Sequence, residues 1–134
     1  MKYATVFLLC IALALPALGQ KAPAGPKYDP ATEAKFKGTI DDIKEVPNSC
    51  LGDTGLHLML KTGDGIQEVQ VAPVDFLKFM DITFAKGEEI QVIGSKVTVN
   101  GNPLILARTI TRNNNDVAVR DKQGAPAWTW MKKG

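Results

Sequence analysis

Cysteine is nearly absent from the 134 residues: only Cys10 and Cys50 occur. Cys10 lies in an apolar run from Ala4 to Leu15, after Lys2 and before the small residues of Ala17-Leu18-Gly19. That order of a positive start, an apolar stretch and a small-residue site reads as a secretory signal peptide over residues 1–19, too short for a stable membrane span. Phe7-Leu8-Leu9 lacks the small residue expected before a lipoprotein cysteine, so Cys10 is expected to leave with the signal. Cys50 is then the sole thiol of a chain starting at Gln20, which excludes an internal disulfide. Charge imbalance is also lacking. Sixteen basic residues face fourteen acidic ones, and removing Lys2 brings the two still closer. Such a surface has no generic attraction for nucleic acid or anionic membrane. After the signal no apolar run is long enough to span a bilayer. A phosphate loop, a dinucleotide fingerprint and a zinc-protease helix are all missing.

What remains fits one domain with a single small core. Residues 20–33, with Pro23, Pro26 and Pro30, read as a flexible lead, with Tyr28 a candidate to dock. From Lys35 side chains alternate: Phe36, Gly38 and Ile40 share one parity, but Ile43 breaks it. A β-bulge at Asp41-Asp42 would absorb the slip. Residues 46–55 (VPNSCLGDTG) read as a loop. Leu56, Leu58 and Leu60 then alternate with His57, Met59 and Lys61. After the Thr62–Gly65 turn, Val69 and Val71 alternate with Glu68 and Gln70, completing a hairpin. Pro73 opens a short helix, with Val74, Leu77 and Met80 at helical spacing and Phe76 and Phe79 widening the stripe. Residues 88–99 form a long strand whose parity switches at Gly94-Ser95, the mark of a barrel corner. Asn100-Gly101 is a hairpin turn, and residues 104–111 return. The domain boundaries expected are a barrel over 34–112 and a C-terminal hairpin and tail over 113–134.

This order predicts an all-β fold with small α content: a five-stranded OB-like barrel, closed or partly open, with one short helix between strands three and four. An open β-sandwich or another small barrel with a helical lid is the competing architecture. The stretch Phe36–Ile110 resembles the OB-fold domains of small exported bacterial proteins of unknown function. The resemblance rests on the Gly38 strand, the Gly63-Asp64-Gly65 hairpin and the segment from Lys86 to Val97. Arg120-Asp121 with Gly124 to Trp128 looks like a closing segment of such proteins. The resemblance implies fold, and no catalytic residue set comes with it.

OB barrels bind ligands around strands two and three. The expected ligand residues are therefore His57, Met59, Lys61, Glu68 and Gln70, with Asn48 and Asp53 from the neighbouring loop. No aromatic ring stands on that face for base stacking, which argues against oligonucleotide binding as the function. Cys50, His57 and Met59 are ligand types that copper or zinc accepts, although their spacing matches no standard pair. Cys50, His57 and Asp53 could be drawn as a thiol nucleophile set, but no oxyanion-hole motif accompanies them. No catalytic residue is expected. Trp128 and Trp130, two apart, either cap the barrel end or anchor a partner. The reading that follows is an exported, non-enzymatic binding or accessory module, with an envelope protein or a small ligand as partner and no cofactor. A metal- or redox-linked accessory using Cys50, His57 and Met59 is the alternative, and an oligonucleotide binder the third.

Overall fold

Strand β1, Glu33–Cys50, is shared between two halves of the sheet. Its first half pairs antiparallel with β4 (Glu89–Val99), from Glu33 opposite Ser95 to Thr39 opposite Glu89. Its second half pairs with β2 (Asp53–Thr62). A register shift between Ile40 and Asp42 leaves Asp41 unopposed, as the broken parity predicts. The bulge bends β1 so that one strand can serve both neighbours. The structure, a computed structural model, describes residues 26–129. The expected signal peptide, the first part of the lead and Trp130 lie outside the described residues.

β2 returns as β3 (Gly65–Pro73) through the expected tight turn. Helix α1 (Val74–Phe79) follows, with Pro73 as its N-cap and Asp75 in its first turn. β4 pairs with β5 (Asn102–Arg112), and β5 with a sixth strand, β6 (Asn115–Ala118). The sheet order is β3-β2-β1-β4-β5-β6, and β3 also pairs parallel with β5. That parallel seam has two rungs, Val69 opposite Ile105 and Gln70 opposite Leu106. It closes the sheet into a ring, which hides strand edges in a short chain. The fold is the expected one: mostly β, one short helix between β3 and β4, OB-like, with β6 added.

The core follows the alternation. Ile40, Leu58, Leu60, Val69, Val71, Ile90, Val92, Ile105 and Ile110 are buried together with Phe76 and Leu77 of α1. The expected helical stripe is only half used, because α1 ends after six residues and leaves Phe79 67% and Met80 48% exposed. β5 is buried on both faces: Leu104 and Leu106 pack against Tyr28 in a second cluster. The expected flexible lead is therefore ordered from Tyr28 onward. Pro30–Thr32 form a 3₁₀ turn capped by Asp29, and the Asp29 N–H donates to Ser95 Oγ at 3.0 Å. Burial of the Tyr28 ring gives this segment the apolar contact that its composition alone did not promise.

At the predicted corner, the β4–β5 register shifts between Ile93 and Gly94. A Cβ on Gly94 would sit 2.4 Å from the Leu106 carbonyl oxygen, so the two backbones can approach only because the side chain is absent. Gly94→Val is expected to destabilise the barrel by about 1–3 kcal/mol or more in urea unfolding. Gly63→Ala, whose Cβ meets nothing within 4 Å, is expected to change stability by under about 1 kcal/mol. Equal effects would contradict the close approach at the corner.

Candidate functional site

The segment expected as a loop over 46–55 is mostly strand. β1 runs to Cys50, turns through Leu51-Gly52, and β2 begins at Asp53. Val46 opposes Gly55 and Cys50 opposes Asp53, so four steps along β1 match two along β2. The surplus residues form a bulge, with Asn48 at φ 58° in it and Leu51 at φ 53° in the turn that follows, both left-handed. The bulge lifts Ser49 over the neighbouring strands and turns Cys50 into the core. Gly55 makes room beneath: a Cβ there would lie 2.7 Å from Cys50 Sγ and 2.9 Å from Ser49 Oγ.

Ser49 sits in a chain of hydrogen bonds that crosses β2 and β3. Arg120 Nη2 donates to Gln70 Oε1 at 3.0 Å. Gln70 Nε2 donates to Ser49 Oγ at 3.0 Å and to the Ser49 carbonyl at 2.9 Å. Ser49 Oγ lies 2.5 Å from His57 Nε2, and His57 Nδ1 lies 2.6 Å from Glu68 Oε2. An imidazole protonated on Nδ1 satisfies the whole series: it accepts the Ser49 hydroxyl proton and donates to the Glu68 carboxylate. Every link then donates in one direction, from a guanidinium to a carboxylate.

Arg120 is the least expected member. It is 7% exposed, and Nη1 donates to the Ala107 carbonyl at 2.7 Å. Its guanidinium carbon lies 5.0 Å from the Trp128 ring centroid and 6.0 Å from that of Tyr28. Among the described residues no carboxylate forms an ion pair with it. Burial lowers its pKa to about 10, so it is still charged at neutral pH. The C-terminal segment brings it there: Val119 N–H donates to the Arg108 carbonyl at 2.8 Å, and Arg120 bridges to Pro126. Nearby, Arg108 grips Glu33 through Nε and Nη2 at 2.9 and 3.1 Å, and Tyr28 donates its hydroxyl to Glu33 at 2.5 Å. The Arg108 hydrogen bonds hold the Glu33 carboxyl below the usual range. Burial first, then the hydrogen bond to Glu33 and its charge, pushes the Tyr28 phenol up to about 12.

An open groove of about 430 Å³ lies between these elements, lined by Lys27, Tyr28, Ser49, Gln70, Arg120 and Trp128 among others. A model of the MamS/MamX magnetosome protein family matches residues 32–117. The chain belongs to that family. No curated protein matches the sequence. Among solved structures, the chain is similar to one from the Stn1–Ten1 complex of S. pombe, at 11% identity and a TM-score of 0.47, over 70% of this chain and 81% of that one. It is also similar to Rim1, a mitochondrial single-stranded DNA binding protein of S. cerevisiae, at 12% identity and 0.45, over 66% and 99%.

In this MamS/MamX-family chain the expected ligand face is only partly open. Lys61, Asn48 and Asp53 are exposed, and Met59 and Glu68 half-buried. His57 and Gln70 point away from the core as their parity demands, yet they are 4% and 2% exposed. The reason is non-local: Ser49 from the bulge and Arg120 from the C-terminal segment hydrogen-bond over them. The drawn metal set is not brought together. Both His57 nitrogens are engaged, by Ser49 and Glu68, and Cys50 packs in the apolar core. Among the described residues no group of three His, Cys, Asp or Glu side chains could hold a metal ion. Trp128 is 1% exposed and stacks obliquely on Phe76 at 6.0 Å between centroids, so it caps the core and is not an exposed anchor. Sequence reasoning placed Ser49 with Asn48, Cys50 and Asp53 in the loop beside the ligand face without a role of its own, and gave Arg120 no site role. The closing motif around Arg120-Asp121 was the available signal, since a basic residue directly after Val119 and before a turn marks a strand end.

Burial pushes the Cys50 thiol up to about 11. Near neutral pH its reaction with an aromatic disulfide reagent is expected to run about a hundredfold slower in the native chain than in urea. Equal rates would place the thiol outside the core.

Proposed function

We propose that this MamS/MamX-family protein is an exported, non-enzymatic binding module that holds a small ligand, or a side chain of an envelope protein, in the groove between the β1 bulge and the C-terminal segment. The observation that carries the reading is the groove itself. It is concave, walled by apolar surface from Leu51, Pro126 and Trp128, and supplied with a few converging polar groups from Ser49, Gln70 and Arg120, as small-molecule sites usually are. Export follows from the signal-like residues 1–19, and the same segment gives a mature start at Gln20.

Ser49, His57 and Glu68 repeat the spacing of a nucleophile, a base and its orienting carboxylate. The non-enzymatic reading treats them as a structural tether. The Ser49 hydroxyl already serves both His57 and Gln70, and the His57 ring is buried beneath it. The tether fixes the bulge over β2 and β3 and so shapes one wall of the groove. Oligonucleotide binding is not favoured, because Tyr28 and Trp128, the aromatic rings at the groove, are buried and present no open stacking face.

A photo-crosslinking residue placed at Lys27 or Gln123, both exposed near the groove, is expected to give adducts in intact cells. The same residue at Thr98, on the exposed β4 end, is expected to give none. The recovered chain should begin at Gln20. Adducts only from Thr98, or release of p-nitrophenol from a p-nitrophenyl ester that disappears in Ser49→Ala, would contradict the proposal.

A further inference from the structure

The groove has a chemical bias. Its charged lining residues are Lys27 and Arg120, both positive, and among the described residues no carboxylate lines it. Arg120 is buried without a carboxylate partner among the described residues, an arrangement that costs desolvation energy with no ion pair to offset it. The two acceptors of its side chain among the described residues, the Gln70 amide oxygen and the Ala107 carbonyl, are neutral. A second observation is independent of the first. Trp128 Nε1, in another residue of the same lining, is a buried donor with no acceptor among the described residues. Native structures rarely leave such donors unmatched. The site therefore holds surplus donors and surplus positive charge beside apolar walls.

We propose that the groove binds an organic anion, with a carboxylate held by Arg120 and Lys27 and an apolar body lying along Leu51 and Pro126. This rests on the binding-module reading and names the ligand class. A carboxylate suits the planar fork of a guanidinium, which can engage both oxygens at once. It also supplies the counter-charge that Arg120 lacks. The neighbouring aromatic faces of Tyr28 and Trp128 hold the guanidinium in place, so little ordering is needed when the anion arrives.

The test uses the chain from Gln20 to Gly134, labelled with ¹⁵N, titrated with benzoate, with the neutral analogue benzamide and with the cation benzylamine. Benzoate is expected to shift the Trp128 indole N–H and the amides of Tyr28, Ser49 and Gln70 in a saturable way. Benzamide is expected to bind at least about tenfold more weakly, and benzylamine not at all. Arg120→Gln should abolish the benzoate shifts. Because that variant removes a buried hydrogen-bonding group and could unfold, Lys27→Glu at an exposed position is the second arm, expected to weaken benzoate about tenfold while leaving the spectrum otherwise native. Equal binding of benzoate and benzamide in the groove would overturn the anion assignment and leave the binding module standing. Benzoate shifts confined to other surfaces, or no shifts from any probe, would overturn the anion assignment as well. Crosslinks from Lys27 in cells would then still support a different occupant.

Discussion

A positive charge taken out of water with only neutral acceptors must be held by its surroundings, and Arg120 is held at the place where the barrel closes. The closing seam between β3 and β5 has only two parallel rungs, the least extensive pairing in the ring. Arg120 donates to Gln70, a rung of that seam on β3, and to Ala107, one residue beyond the seam on β5. The guanidinium thus spans the junction that turns a curled sheet into a cylinder. Trp128 and Tyr28 flank it, so the chain's two flanking segments meet over the same point. Closure, the docked lead and the capped core end share one side chain.

The same residue starts the polar chain that organises the β2–β3 face. From Arg120 the donors run through Gln70, Ser49 and His57 to Glu68. A buried polar network stabilises a unique arrangement only when every member is satisfied, and here each link has its partner. The unmatched group lies beside it, at Trp128 Nε1. The contrast lies within a few residues: the satisfied chain fixes the bulge over β2 and β3, and Trp128 Nε1 beside it is a buried donor without an acceptor among the described residues.

Much of the fold was legible because barrel geometry acts locally. The parity break after Ile40 marked a bulge, Gly94 marked the corner, and Pro73 marked the start of α1. Each depends on residues within a few positions of one another. The segment from Pro47 to Gly52 was less legible. Its turn-rich composition suggested a loop, but pairing with β2 keeps it in the sheet, with Asn48 and Leu51 absorbing the strain at positive φ. His57 and Gln70 were placed on the correct side of their strands and wrongly left open to solvent. What covers them comes from Ser49 on the β1 bulge and, over Gln70, from Arg120 fifty residues further on, and alternation along a strand carries no information about such partners. Of the two roles offered for Trp128, its burial against Phe76 of α1 fits the cap and not the exposed anchor.

Amide hydrogen exchange on Arg120→Met tests the central role of this guanidinium most directly. Methionine keeps the apolar stem and removes every donor. Protection is expected to fall selectively at Val69 to Val71, at Ile105 to Ala107 and in the segment 119–128, while the β1–β2 and β1–β4 ladders keep theirs. Unchanged protection across the seam, or a loss spread evenly over all strands, would contradict the account.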